Sequence, residues 1–114
     1  MTGISTHVLD TAQGKPAKNV PVSLEKQDAP DQWQLIGSGR TDQDGRCTQL
    51  LPDGQSLSPG TYRLAFDIRT YHSAQGAHGL YPVVHIIFTV RAGETHLHIP
   101  LLVSPHGYTT YRGS

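Results

Sequence analysis

Seven histidines against three lysines give this chain an unusual supply of groups that titrate near neutral pH and can act there as acid, base or metal ligand. His96 and His98 are separated by one residue, the spacing at which a strand turns two imidazoles to one side and toward one metal ion. Two ligands do not make a site. No cysteine cluster, no His-Glu-x-x-His and no third ligand accompany them, so no metal is expected. Cys47 is the lone cysteine, has no histidine close by in sequence, and reads as packing rather than as a nucleophile. Gly37-Ser38-Gly39 is too short to cradle a phosphate and opens onto no helix. His85 falls in a run that is apolar on both faces and reads as a partly buried, hydrogen-bonded ring, whereas His72, His78 and His106 fall in helix or loop positions and read as solvated. For His7 and His98 the question is which way their strands face.

Period-two alternation accounts for most of the apolar residues, with turn residues between the alternating runs. Strands are expected over residues 4–10, 20–25, 32–37 with an extension to 40, 46–50, 61–67, 83–90, 95–103 and 108–111. Residues 68–75 form the one short helix, and residues 13–16, 27–31, 41–45, 52–60 and 76–82 the turns and loops. Pro21 marks the second strand as an edge or its solvent side. With 12 glycines and 8 prolines a helical bundle is excluded, and a parallel sheet would need helices between its strands. The expected fold is all-β: an antiparallel two-sheet sandwich of about eight short strands with one short helix.

Alternation in the first strand puts Thr6 and Val8 on one face and Ser5, His7 and Leu9 on the other. Near the C-terminus, Leu97, Ile99 and Leu101 form the core face and leave His96, His98, Pro100 and Leu102 outward. His7 and His98 therefore both point away from the sandwich interior, and by parity alone they read as surface residues. Leu9, Pro100 and Leu102 beside them are apolar, which marks that face as a subunit interface.

A chain of 114 residues forms one domain, 1–114. Nine basic residues balance nine acidic ones without a basic block, so nucleic acid is not an expected partner. No run approaches the length of a membrane span, and Met1 is followed by neither the basic start nor the apolar stretch of a signal peptide. With a single cysteine no intrachain disulfide is possible, which suits a reducing compartment, and the expected location is the cytoplasm.

Three segments together carry a resemblance. Ser5-Thr6-His7-Val8-Leu9-Asp10 with Gly14-Lys15-Pro16-Ala17, then Gly39-Arg40-Thr41-Asp42-Gln43-Asp44-Gly45-Arg46, and finally Tyr108-Thr109-Thr110-Tyr111-Arg112-Gly113-Ser114 resemble the 5-hydroxyisourate hydrolases, the enzymatic branch of the transthyretin family. The likeness extends to Tyr81-Pro82-Val83-Val84 and to residues 98–105, and residues 111–114 are its most specific element, absent from the hormone-carrying transthyretins. It implies a transthyretin-like sandwich assembled as a homotetramer, a dimer of dimers with active sites at the interface. The implied activity belongs to urate breakdown and hydrolyses 5-hydroxyisourate to 2-oxo-4-hydroxy-4-carboxy-5-ureidoimidazoline, without a cofactor. The family's catalytic residues fall on His7, Arg46, His98 and Ser114. Substrate binding falls on His7 and Arg46, with Tyr111 and Arg112 lining the pocket.

Opening a cyclic acyl–nitrogen bond needs an activated water, a stabilised oxyanion and a proton for the departing nitrogen. Two imidazoles, a guanidinium and a hydroxyl can supply these without a metal. The expected division has His98 as base with Ser114 positioning the water, His7 holding or protonating the substrate, and Arg46 orienting the anion. Which histidine does which stays open at this level. The competing reading is a non-enzymatic, transthyretin-like carrier of a small ligand.

Overall fold

The turn residues between the alternating runs set where each strand stops and the next begins. In the computed structural model, which describes residues 3–114, the elements in chain order are β1 (Gly3–Asp10), β2 (Lys15–Pro16), β3 (Pro21–Ala29), β4 (Gln32–Arg40), β5 (Arg46–Cys47), β6 (Gly60–Asp67), α1 (Ile68–Ala74), β7 (Val83–Val90), β8 (His96–His98), β9 (Leu101–Ser104) and β10 (Gly107–Thr110). One sheet has the order β4-β3-β6-β7, all antiparallel. Its β3–β4 hairpin turns through Pro30-Asp31, where Asp31 takes φ +62°, a left-handed value that aspartate tolerates better than most residues. The other sheet has the order β10-β9-β1-β2, and β5 and β8 also pair with β1. Ile4, Val8 and Leu101 from this sheet and Leu24, Leu64 and Phe66 from the other are fully buried between the two layers.

The all-β sandwich with one short helix agrees with the alternation, and four details correct it. First, the sheet around β1 is mixed: β1 runs antiparallel to β2 and β5 but parallel to β8 and β9. Parallel neighbours need a long crossover, and here the whole second sheet and the helix supply it. Second, the strand expected over residues 95–103 divides at Ile99-Pro100, because proline lacks the N–H that a ladder position requires. Parity survives the break, with Leu97, Ile99, Leu101 and Val103 all buried, but Pro100 is buried as well and is not part of the outward apolar face. Third, the strand expected over residues 46–50 stops at Cys47, and Leu50 and Leu51 pack into the core from coil. Lys15–Pro16, expected as loop, makes a short pairing with Leu9 and Asp10.

The fourth correction concerns two histidines. Asp67 caps α1 through its carboxylate, and the helix turns Ile68, Tyr71 and His72 into the protein, so His72 is 2% exposed rather than solvated. Its Nε2 has no hydrogen-bond partner among the described residues. His85 is exposed, since β7 sends Val84 and Val90 inward and leaves Val83, His85 and Ile87 on an outer face that is apolar in composition yet uncovered. The helix is tied to the start of the chain where the Tyr71 hydroxyl donates to Asp10 Oδ2 at 2.7 Å.

Candidate active site

The central strand β1 presents Ser5 and His7 at alternate positions on its outer face, and each lies beside a residue from a different neighbour. His7 is registered against Arg46 of β5, and Ser5 against His98 of β8. One strand therefore gathers two imidazoles and a guanidinium from sequence positions far apart.

The loop before β5 is built to fix two of these groups. Asp42 Oδ1 accepts from the backbone N–H of Asp44 and of Arg46, each at 2.9 Å, which closes the turn and sets the start of β5. Gly45 has φ +77°, and a Cβ there would lie 2.4 Å from the Val8 carbonyl oxygen, so both its backbone conformation and its close approach require glycine. Held in this way, the Asp44 carbonyl lies 2.8 Å from His7 Nε2. A carbonyl only accepts, so Nε2 is the donor, and in the neutral ring the lone pair belongs to Nδ1.

His98 is gripped on both sides. Ser5 Oγ lies 2.8 Å from its Nδ1. On the other side the C-terminal segment folds back, with the Gly113 N–H donating to the His98 carbonyl at 2.8 Å. Gly113 sits so close to the ring that a Cβ would lie 2.5 Å from His98 Cδ2. Arg46, His98 and Ser114 then line one cavity of about 540 Å³, with Ser5, Thr48 and His96 in its wall. Partial burial, reinforced by the positive fields of His7, Arg46 and His96, lowers the His98 pKa below the ordinary histidine value and keeps the ring neutral at neutral pH.

Of the residues singled out from the sequence, Arg46, His98 and Ser114 share this cavity, and His7 stands next to Arg46 on the adjoining rung. Tyr111 and Arg112 are elsewhere. They border a separate groove of about 270 Å³ with Ile86, Phe88 and Leu97, and Arg112 Nη1 donates to Glu94 Oε1 at 2.8 Å. Ser5, Thr48 and His96 line the cavity without having been singled out for it. Ser5 shares the parity of His7, but only the parallel pairing of β1 with β8, across 93 residues of sequence, brings it to His98. Among the described residues, no group of three or more His, Cys, Asp or Glu is placed to hold a metal ion. None of their helices is long and apolar enough to cross a membrane.

A sequence profile described as the HIUase/Transthyretin family matches residues 4–113. Over 97% of its length the chain is 45% identical to the 5-hydroxyisourate hydrolase of Mus musculus, of which the match covers 94%. Among solved structures, that of the Klebsiella pneumoniae 5-hydroxyisourate hydrolase superimposes with a TM-score of 0.85 at 32% identity, covering all of both chains. Sea bream transthyretin in complex with thyroxine superimposes with a TM-score of 0.88 at 31% identity, over 96% of this chain and 93% of that one.

Proposed function

The chain belongs to the HIUase/Transthyretin family, and from that membership we propose that it is an enzyme hydrolysing 5-hydroxyisourate, with the cavity at Arg46, His98 and Ser114 as its active site. The observation that carries the reading is the convergence of those three residues, with His7 alongside, in a chain 45% identical to a hydrolase of that name. The fold by itself would serve a thyroxine carrier equally well, as the sea bream structure illustrates. The Arg46 guanidinium and the His98 imidazole in the cavity wall, with His7 registered against Arg46, favour hydrolysis over carriage of a small ligand.

Water adds to the cyclic acyl carbon, the carbonyl oxygen takes up negative charge, and the carbon–nitrogen bond breaks as the nitrogen gains a proton. Arg46 stays protonated throughout, so it orients the anionic substrate and stabilises the oxyanion and cannot serve as base. The His7 bond to the Asp44 carbonyl leaves Nδ1 as its basic nitrogen, which supports His7 as the group that takes the proton from water. Ser114, which lines the cavity, is the hydroxyl assigned to position that water. This division departs from the expectation of His98 as base, and it rests on the hydrogen bonds at the two rings. Tyr111 and Arg112 join substrate binding only through a rearranged C-terminal segment or a second protomer. No cofactor takes part.

The working form in this reading is a homotetramer, a dimer of dimers, in a reducing cytoplasm. Leu9 and Leu102 are register partners on the outer face of the β1 sheet, the face that carries the site, and both are only half-buried in the protomer. A second protomer laid on that face covers them and closes the cavity. The whole chain acts as one domain. The test of the activity is spectrophotometric: 5-hydroxyisourate generated by urate oxidase should decay faster with the protein than without it, and a spontaneous rate would leave the carrier reading.

A further inference from the structure

We propose that Ser5 is a positioning residue for this reaction: its hydroxyl donates to Nδ1 of His98, which keeps the ring proton on Nε2 and presents substrate with a neutral N–H donor. The inference rests on the proposed hydrolase reading for its consequence and on hydrogen-bond geometry for its substance. Ser5 Oγ and His98 Nδ1 are 2.8 Å apart on registered rungs of β1 and β8, and Ser5 is 7% exposed. Either atom could in principle give the proton. If Nδ1–H donated, the Ser5 hydroxyl proton would find no protein acceptor among the described residues and only water of the cavity that Ser5 lines, whereas a hydroxyl that gives its proton to Nδ1 leaves neither group unpaired within the protein. Turning the ring over would set Cδ2 against the hydroxyl, and Gly113 lies against the ring edge on the other side. The titratable groups facing the ring are His7 and Arg46 from β1 and β5 and His96 from its own strand. All three oppose a second proton on His98, so its single proton goes where Ser5 leaves room for it. A neutral imidazole with Nε2–H can donate to the developing oxyanion while giving up no charge of its own. His98 is then the donor of the site, and His7 keeps the role of base.

The test uses the full ¹⁵N-labelled chain. Long-range ¹H–¹⁵N correlation reads the His98 tautomer directly, without substrate, and the wild type should carry the proton on Nε2. Ser5→Ala should give a mixture of tautomers, raise the titration midpoint of His98, and lower kcat by about tenfold to a hundredfold, the range seen when one orienting outer contact is lost. KM should change little. Ser5→Thr, which restores the hydroxyl, should recover the tautomer and most of kcat. An Nδ1 proton in the wild type, or a Ser5→Ala protein with unchanged tautomer and turnover, overturns the proposal, as does a folded Ser5→Thr protein that behaves like the alanine variant. A wild type with a Ser5-dependent tautomer and no turnover would overturn the hydrolase reading alone and leave the placement of the proton standing.

Discussion

At the scale of single residues, the site depends on side chains that contribute little to the core. His7 and His98 point outward from β1 and β8, so His7→Asn and His98→Asn should each cut kcat by about 10²-fold or more while leaving the melting temperature nearly unchanged. Parallel loss of the circular dichroism signal and of activity would show that the rings are structural. Gly113 makes a sharper case, because a methyl group there would meet His98 Cδ2 at 2.5 Å and the ring or the C-terminal segment must move. Gly113→Ala should lower kcat by about a hundredfold, the scale of a 1 Å misplacement, with little change in urea stability. Steady-state rates beside a urea titration of the same preparation decide it. Parity made the outward facing of both histidines legible from the sequence. It could not reveal the hydroxyl beside His98, because two short strands far apart in the chain give no local signal that they will lie parallel.

At the scale of elements, two short connections carry the geometry. Asp42 closes the loop before β5 by accepting from two backbone N–H groups, and through Asp44 that loop also holds His7. Asp42→Ala should cost about 1–3 kcal/mol and a large share of activity, whereas Asp42→Asn keeps the accepting oxygen and should retain most of both. Equal losses in the two variants would mean that charge, not the turn, is what matters. The second connection is the bond from Tyr71 on α1 to Asp10 at the end of β1. Burial pushes the Asp10 carboxyl up, but hydrogen bonds from Tyr71, Gln13 and Ala12 together outweigh it and hold the net value below the ordinary 3.8. A depressed carboxylate stabilises the fold above the unfolded pKa and loses that contribution as pH falls through the folded value. Tyr71→Phe should therefore destabilise by about 2 kcal/mol at neutral pH, and the gap from wild type should narrow below pH 3.8 in urea melts taken across the range. The turn around Asp42 could be read from its Asp and Gly residues. The burial of His72 could not, since a seven-residue helix is too short for its apolar face to declare itself.

For the molecule as a whole, the face that holds the site also carries Leu9 and Leu102, both half-buried in the protomer. Leu102→Asp places a carboxylate beside Leu9 and should shift the sedimentation profile toward smaller species, with activity falling alongside. A fully active monomer would separate the site from assembly. The alternation and turn spacing carried the two-layer architecture, because burial on one face imposes period two on each strand. Strand order had no comparable signature. Pro100, expected on the interface, went inward because the chain bends at Ile99-Pro100 as it passes from β8 to β9.

The position of β1 at the centre of its sheet has a temporal consequence. Its parallel partners begin at His96, so β1 waits for residues 96–104 before its pairings with β8 and β9 can form. The other sheet is complete by Val90 and needs no part of β1 for its own ladders. Such long-range closure is slow compared with hairpin formation. Ser5, His7, Arg46 and His98 are together only once β8 has joined β1, so turnover becomes a readout of the completed sheet.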